Sequence, residues 1–225
     1  AGNPELEPEE VWRYNINLDY RLPNDGGVIN SRLFYYDVEK SIGRIDISTG
    51  PNQLATTNGN VGEGTVYGLD LNASIRLGFV NLPQAVVTAG VLTQVSKIDD
   101  PLIAQERKVL PFDRGNVRLG FRHDIPSMSL NYGFNYRDGI DGNRTIYDID
   151  NVLFIGSNSN LSAFVEKVGF ADLTYRFEVD NLLDHENCRE RRRFTGYLRD
   201  TQLREIERFC TTNGQRLSFT VRGTF

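Results

Sequence analysis

Apolar and polar residues alternate with a period of two along nearly the whole chain, the pattern of strands with one apolar and one polar face. In 171–180, Leu173, Tyr175, Phe177 and Val179 share one face, while Asp172, Thr174, Arg176, Glu178 and Asp180 share the other. In 67–79, Tyr67, Leu69, Leu71, Ala73, Ile75, Leu77 and Phe79 oppose Asp70, Asn72, Ser74 and Arg76. The pattern predicts an all-β antiparallel meander of about nine long strands, at roughly 11–20, 28–40, 64–79, 85–97, 114–124, 127–138, 160–168, 171–182 and 214–225. In the second strand the run Phe34-Tyr35-Tyr36 breaks the alternation. The connections alternate too. Short ones carry turn formers: Pro23-Asn24-Asp25-Gly26-Gly27, Val80-Asn81-Leu82-Pro83, Ile125-Pro126 and Gly169-Phe170. Long ones, at 41–63, 98–113, 139–159 and 183–213, fall between them without exception.

Alternation suits a soluble β-sandwich as well as a membrane barrel. A meander with short turns at one end and long loops at the other matches an outer-membrane barrel. Three further features favour the barrel. The polar faces carry mixed charges on neighbouring strands (Asp70 and Arg76, Arg118 and Arg122, Arg176 and Glu178), which suits a wet lumen. Strands of about 10–12 residues match a tilted crossing of about 9–11 residues, whereas sandwich strands run to about 5–6. Aromatics recur near strand ends: Trp12, Tyr14, Tyr20, Tyr67, Phe79, Tyr136 and Phe225. No apolar stretch is long enough for a membrane helix, and a net charge of −5 gives no general nucleic-acid surface. In the closing stretch QRLSFTVRGTF, Leu217, Phe219 and Val221 are therefore assigned to lipid, and Arg216, Ser218, Thr220 and Arg222 to a lumen. Nine is an odd number of strands, and an open sheet leaves unsatisfied edges in lipid. The chain is expected to be the C-terminal part of a larger barrel.

The last long connection holds both cysteines, Cys188 and Cys210. They are either two free thiols or a loop-closing disulfide, which needs an oxidising compartment and stabilises by roughly 3 kcal/mol. His185 makes an H-x-x-C metal site a third reading. Leu203, Ile206 and Phe209 stand three residues apart behind Asp200, which predicts a short amphipathic helix over 200–209. Arg189, Arg191, Arg192 and Arg193 head an arginine-rich run. It is either a charged face balanced by Glu190, Glu205 and Glu207 or a surface contacting an acidic ligand. The chain has two histidines, His123 and His185, and no G-x-S-x-G, H-E-x-x-H or P-loop, so no enzyme is expected. Asp99-Asp100 and Asp148/Asp150 read as loop charges or a casual cation site.

Several motifs carry a resemblance, in order along the whole chain. Asn3-Pro4-Glu5-Leu6-Glu7-Pro8-Glu9 resembles the N-P-x-L-x-P-E segment of TonB-dependent outer-membrane receptors. VYGLDLNASIRL is similar to that family's Y-G-x-E-x-x strand, with Asp70 at the acidic position. Val179-Asp180-Asn181-Leu182-Leu183-Asp184 resembles V-x-N-L-F-D, with Leu183 where the family often has an aromatic. RGTF resembles the closing strand with its terminal Phe. The resemblance implies a twenty-two-stranded barrel in the bacterial outer membrane around an N-terminal plug domain. It implies uptake of a scarce small-molecule nutrient (a siderophore, cobalamin or an oligosaccharide) driven by the TonB complex through the plug. This chain would supply the last nine strands. Its partners would be membrane lipid, the remaining strands, the plug and the barrel-assembly machinery, which would read Phe219, Val221 and Phe225. No cofactor and no nucleic acid are implied. A passive porin-like barrel and a soluble β-sandwich binding module are the alternatives.

Overall fold

A computed structural model describes residues 3–140, 142–157 and 159–223. The alternating segments form long antiparallel strands: β1 (Glu10–Leu22), β2 (Gly27–Asp46), β3 (Thr56–Leu77) and β4 (Leu82–Asp100), with β5 (Gln105–Arg107) added at the end of β4. β6 (Gly115–Ile125), β7 (Leu130–Ile140), β8 (Arg144–Tyr147), β9 (Asn151–Ile155), β10 (Asn160–Val168), β11 (Thr174–Asp180), β12 (Glu186–Phe194), β13 (Leu203–Thr212) and β14 (Arg216–Arg222) follow. The main sheet runs β1-β2-β3-β4-β6-β7-β10-β11-β14. These are the nine strands predicted, each beside its sequence neighbour. Among the described residues the sheet is open, and β1 and β14 each pair with one neighbour only.

All the tight turns lie at one end of this sheet. They pass through left-handed backbone at Asn24, Asp25, Asn81, Ser129, Ala171 and Asp172, mostly residue types that tolerate it. Phe79 and Phe170 project from this end, 77% and 86% exposed. At the other end the structure corrects the expected loops. β2 and β3 pair as far as Asp46 and Thr56, so much of 41–63 is strand rather than connection. A register shift at Lys40 and Gly62, both with positive φ, lets the hairpin continue past the sheet.

The two longest connections fold into a second sheet, ordered β13-β12-β9-β8. The helix expected over 200–209 is absent; β13 stands there, antiparallel to β12. All ten of its residues are exposed, so no apolar surface exists for a helical stripe to bury. Cys188 and Cys210 sit directly opposite each other across β12–β13, which pins the strand register.

A single cavity of about 680 Å³ touches Asn30, Ser74, Thr88, Arg118, Arg137, Asn160, Asp180 and Arg216, side chains on eight successive strands of the main sheet. One hollow can touch eight adjacent strands only on the concave side of a curved sheet. The polar face is therefore the concave one. The opposite face carries Tyr14, Ile16, Leu18, Tyr35, Tyr67, Leu217 and Phe219, all exposed, and no second layer of the described residues covers it. That excludes a sandwich, whose apolar faces pack on each other. On β1, Trp12 and Tyr20 stand eight positions apart, about 26 Å along the strand and about 20 Å along the normal at a tilt of about 40°. Aromatics thus flank an apolar band about 20 Å tall, somewhat shorter than the roughly 25 Å band of outer-membrane barrels.

The concave face turns apolar at the long-connection end. Phe34, Tyr36, Val38, Val66 and Ile98 form a buried cluster with Val61 and with Val109, folded back from the segment after β5. Gly68 lies in this region. A Cβ there would meet the Thr93 carbonyl oxygen and come within 2.7 Å of the Phe34 ring.

Candidate ligand path and cap

The cavity is lined by rows that run straight across the sheet. One passes Asp19, Asn30, Asn72, Gly90, Arg118, Arg137 and Asn160; the next holds Ser74, Thr88, Gly120, Asn135 and Ser162. Period-two alternation brings these side chains to one face, and strand register aligns them. The network is partly closed on itself. Arg32 donates to Asp70 Oδ2 at 3.0 Å, and Asn72 donates to Asp70 Oδ1 at 2.8 Å. Arg118 donates to Asn72 Oδ1 at 3.0 Å, and Arg216 to Asp180 Oδ2 at 3.0 Å. Amides, hydroxyls and guanidiniums supply the polar half of the lining, groups suited to hydroxyl-rich or anionic solutes.

Ion pairs and hydrogen bonds join the long connections into a cap. Arg144 on β8 grips the buried Asp113 with two bonds of 2.9 Å. That bond raises the Arg144 pKa above its already high ordinary value. Arg114 donates to the carbonyls of Ile155 and Gly156. Thr56 at the start of β3 donates to Asp148 Oδ1 at 2.7 Å. Asp100 and Arg107 pair in a buried contact that ties β5 to β4. The N-terminal segment docks on the same end. Glu7 N–H donates to Asn60 Oδ1, and Lys40 reaches Glu7 at 2.8 Å and Glu10 at 3.4 Å. These bonds lower the Glu7 pKa and raise that of Lys40.

The arginine run divides as a strand must. Arg189, Arg191 and Arg193 share one face of β12, with Arg192 on the other. Arg192 donates to Glu190 at 2.7 Å and lies over the Phe154 ring at 4.9 Å. Arg193 pairs with Glu207 at 3.2 Å. The balanced-charge reading fits these two. Arg189 and Arg191 form no ion pair among the described residues, and the buried Nε atoms of Arg191 and Arg193 lack any hydrogen-bond partner. Glu207, directly opposite Arg191 across β12–β13, pairs with Arg193, so among the described residues Arg189 and Arg191 are the members of that face outside any ion pair.

Cys188 and Cys210 are disulfide-bonded, with Cα atoms 4.0 Å apart. This removes the free-thiol reading and, with no thiolate left, the metal reading. His185 Nε2 lies 2.9 Å from the Ser157 carbonyl oxygen instead. Asp100 is consumed by Arg107, and Asp148 accepts from Thr56 and from the Ile149 N–H. Sequence reasoning assigned no role to Asn181. It accepts from His185 N–H at 2.9 Å, donates to the Gly214 carbonyl at 3.1 Å, and takes a left-handed φ of 54°. It holds both ends of the last long connection together, and the V-D-N-L-L-D motif was its signal. In the closing strand, Phe219 and Val221 lie on the convex face, with Phe219 stacked 6.4 Å from Tyr175. Phe225 lies outside the described residues.

The family model for TonB dependent receptor-like β-barrels matches residues 1–187. The chain belongs to the TonB-dependent receptor β-barrel family. No curated protein and no solved structure matches the chain significantly. The family is one of bacterial outer-membrane receptors and transporters, and barrels of that kind carry short turns on the periplasmic side, longer loops outside and an apolar outer face toward lipid. No helix among the described residues is long and apolar enough to cross a membrane.

Proposed function

We propose that residues 1–225 are the C-terminal nine-strand segment of a receptor barrel that imports a scarce, acid-bearing nutrient with energy from the TonB complex. The observation that carries this reading is the part of the β12 row outside any ion pair. Among the described residues Arg189 and Arg191 form no ion pair, Glu207 opposite Arg191 being held by Arg193, and they stand on an outer cap above a lumen lined by amides and guanidiniums. Arg guanidiniums take carboxylates in a bidentate fork, so among siderophores, cobalamin and oligosaccharides the row favours a carboxylate-bearing siderophore. Earlier strands of the full-length protein complete the barrel at the edges of β1 and β14, and a plug domain fills the lumen and contacts TonB. The closing strand, with Phe219, Val221 and Phe225, serves as the assembly signal.

Uptake of a ferric tricarboxylate by cells making the full-length receptor tests this reading. It should stop in a strain lacking TonB. Equal uptake with and without TonB would establish the passive porin-like alternative instead.

A further inference from the structure

Arg118 and Arg137 are direct cross-strand neighbours on the lumenal face of β6 and β7. Opposed residues there have Cβ atoms about 5 Å apart, and like charges so placed repel. Arg118 turns toward β3, bonding Asn72 at 3.0 Å and standing 3.7 Å from Asp70. That carboxylate is already held at 3.0 Å by Arg32. Arg137 forms no ion pair among the described residues. Its neighbour Asp180 is engaged by Arg216 at 3.0 Å. The cavity is thus lined by Arg118, Arg137 and Arg216 against Asp180 alone, an excess of two positive charges in a chain of net charge −5. Arg137 also lines the adjoining hollow of about 160 Å³ that leads past His185 and Asn187 toward the cap.

We infer that Arg118 and Arg137 form an anion station inside the barrel, below the outer arginine row, for a carboxylate or phosphate group. The inference rests on the lumen reading above. A bound anion cancels the repulsion between the two guanidiniums, and their forks accept it bidentately. The group is carried either by a soluble solute or by another segment of the full-length polypeptide.

The test uses purified full-length receptor, Arg137→Gln and Arg137→Lys, with citrate and inorganic phosphate as probes in calorimetry at low salt. If a solute fills the site, citrate binds the wild type saturably, Arg137→Gln weakens it at least tenfold, and Arg137→Lys falls between. If a segment of the polypeptide fills it, citrate does not bind. Arg137→Gln then lowers the Tm, and Arg137→Lys restores part of the loss. An unfilled pair predicts the opposite sign, since removing Arg137 then only relieves repulsion. No citrate or phosphate binding, together with an unchanged or raised Tm in Arg137→Gln, overturns the inference. TonB dependence of uptake is read separately and does not follow from either result.

Discussion

Replacing both Cys188 and Cys210 with serine should release β13 while leaving the main sheet intact. The bridge joins directly opposed residues and closes a segment of sequence separation 22. The chain-entropy model assigns a loop of that size about 3.4 kcal/mol. Little else holds β13: it pairs with β12 alone, and its whole length is exposed. β12 keeps its pairing to β9 from Arg189 to Arg193. The loss corresponds to a roughly 300-fold rise in the opening equilibrium of β13. Amide hydrogen exchange on the full-length receptor reads this directly. Peptides covering 203–212 should exchange about two decades faster in the double variant, and peptides covering 115–140 should not change. Undiminished protection at 203–212 would refute the role given to the crosslink. An equal loss across β6 and β7 would refute the independence of cap and barrel.

Three other outcomes follow from the same structure. Leu71 and Thr88 each lie six residues from the short turn between β3 and β4, on opposite faces; Leu71→Arg should cost about 2–4 kcal/mol in vesicle unfolding titrations, and Thr88→Arg much less. Gly68→Ala should destabilise by about 1–3 kcal/mol in the same titrations, because the added methyl meets Thr93 and Phe34. The Ser48 hydroxyl and N–H hold the Asp46 carboxyl below its usual range; its contribution is therefore full above the unfolded pKa of about 3.9 and lost as pH falls through the lower folded value. Asp46→Asn should remove that acid step from the exchange of residues 47–55.

The main sheet was legible because its faces meet different solvents. Every strand had to keep Leu, Tyr and Phe on one side and Asn, Asp and Arg on the other. Where that contrast fades, so did the reading. Phe34-Tyr35-Tyr36 broke the alternation because the lumenal side is apolar there: Phe34 and Tyr36 are buried against Val66 while Tyr35 points outward. The cap strands were read as loops because a small sheet wet on both sides needs no apolar face, as ENCRERRRF shows. The three-residue spacing of Leu203, Ile206 and Phe209 signalled a helix, yet without a surface to bury its stripe the crosslinked strand pairing wins. The four arginines were found as a run, but only their alternation along a strand puts Arg192 beside Glu190 and Arg189, Arg191 and Arg193 on the other face. Arg118 and Arg137 lie far apart in sequence, and register alone makes them neighbours.

The assignment of the two faces of the sheet is tested most directly on the closing strand. Nitroxide labels placed singly at positions 216–222 of the full-length receptor in vesicles report collision with oxygen from lipid and with a water-soluble nickel chelate. Positions 217, 219 and 221 should favour oxygen, and 218, 220 and 222 the chelate, with a period of two. A reversed phase, or equal access at all positions, would contradict a polar lumen enclosed by an apolar, lipid-facing wall.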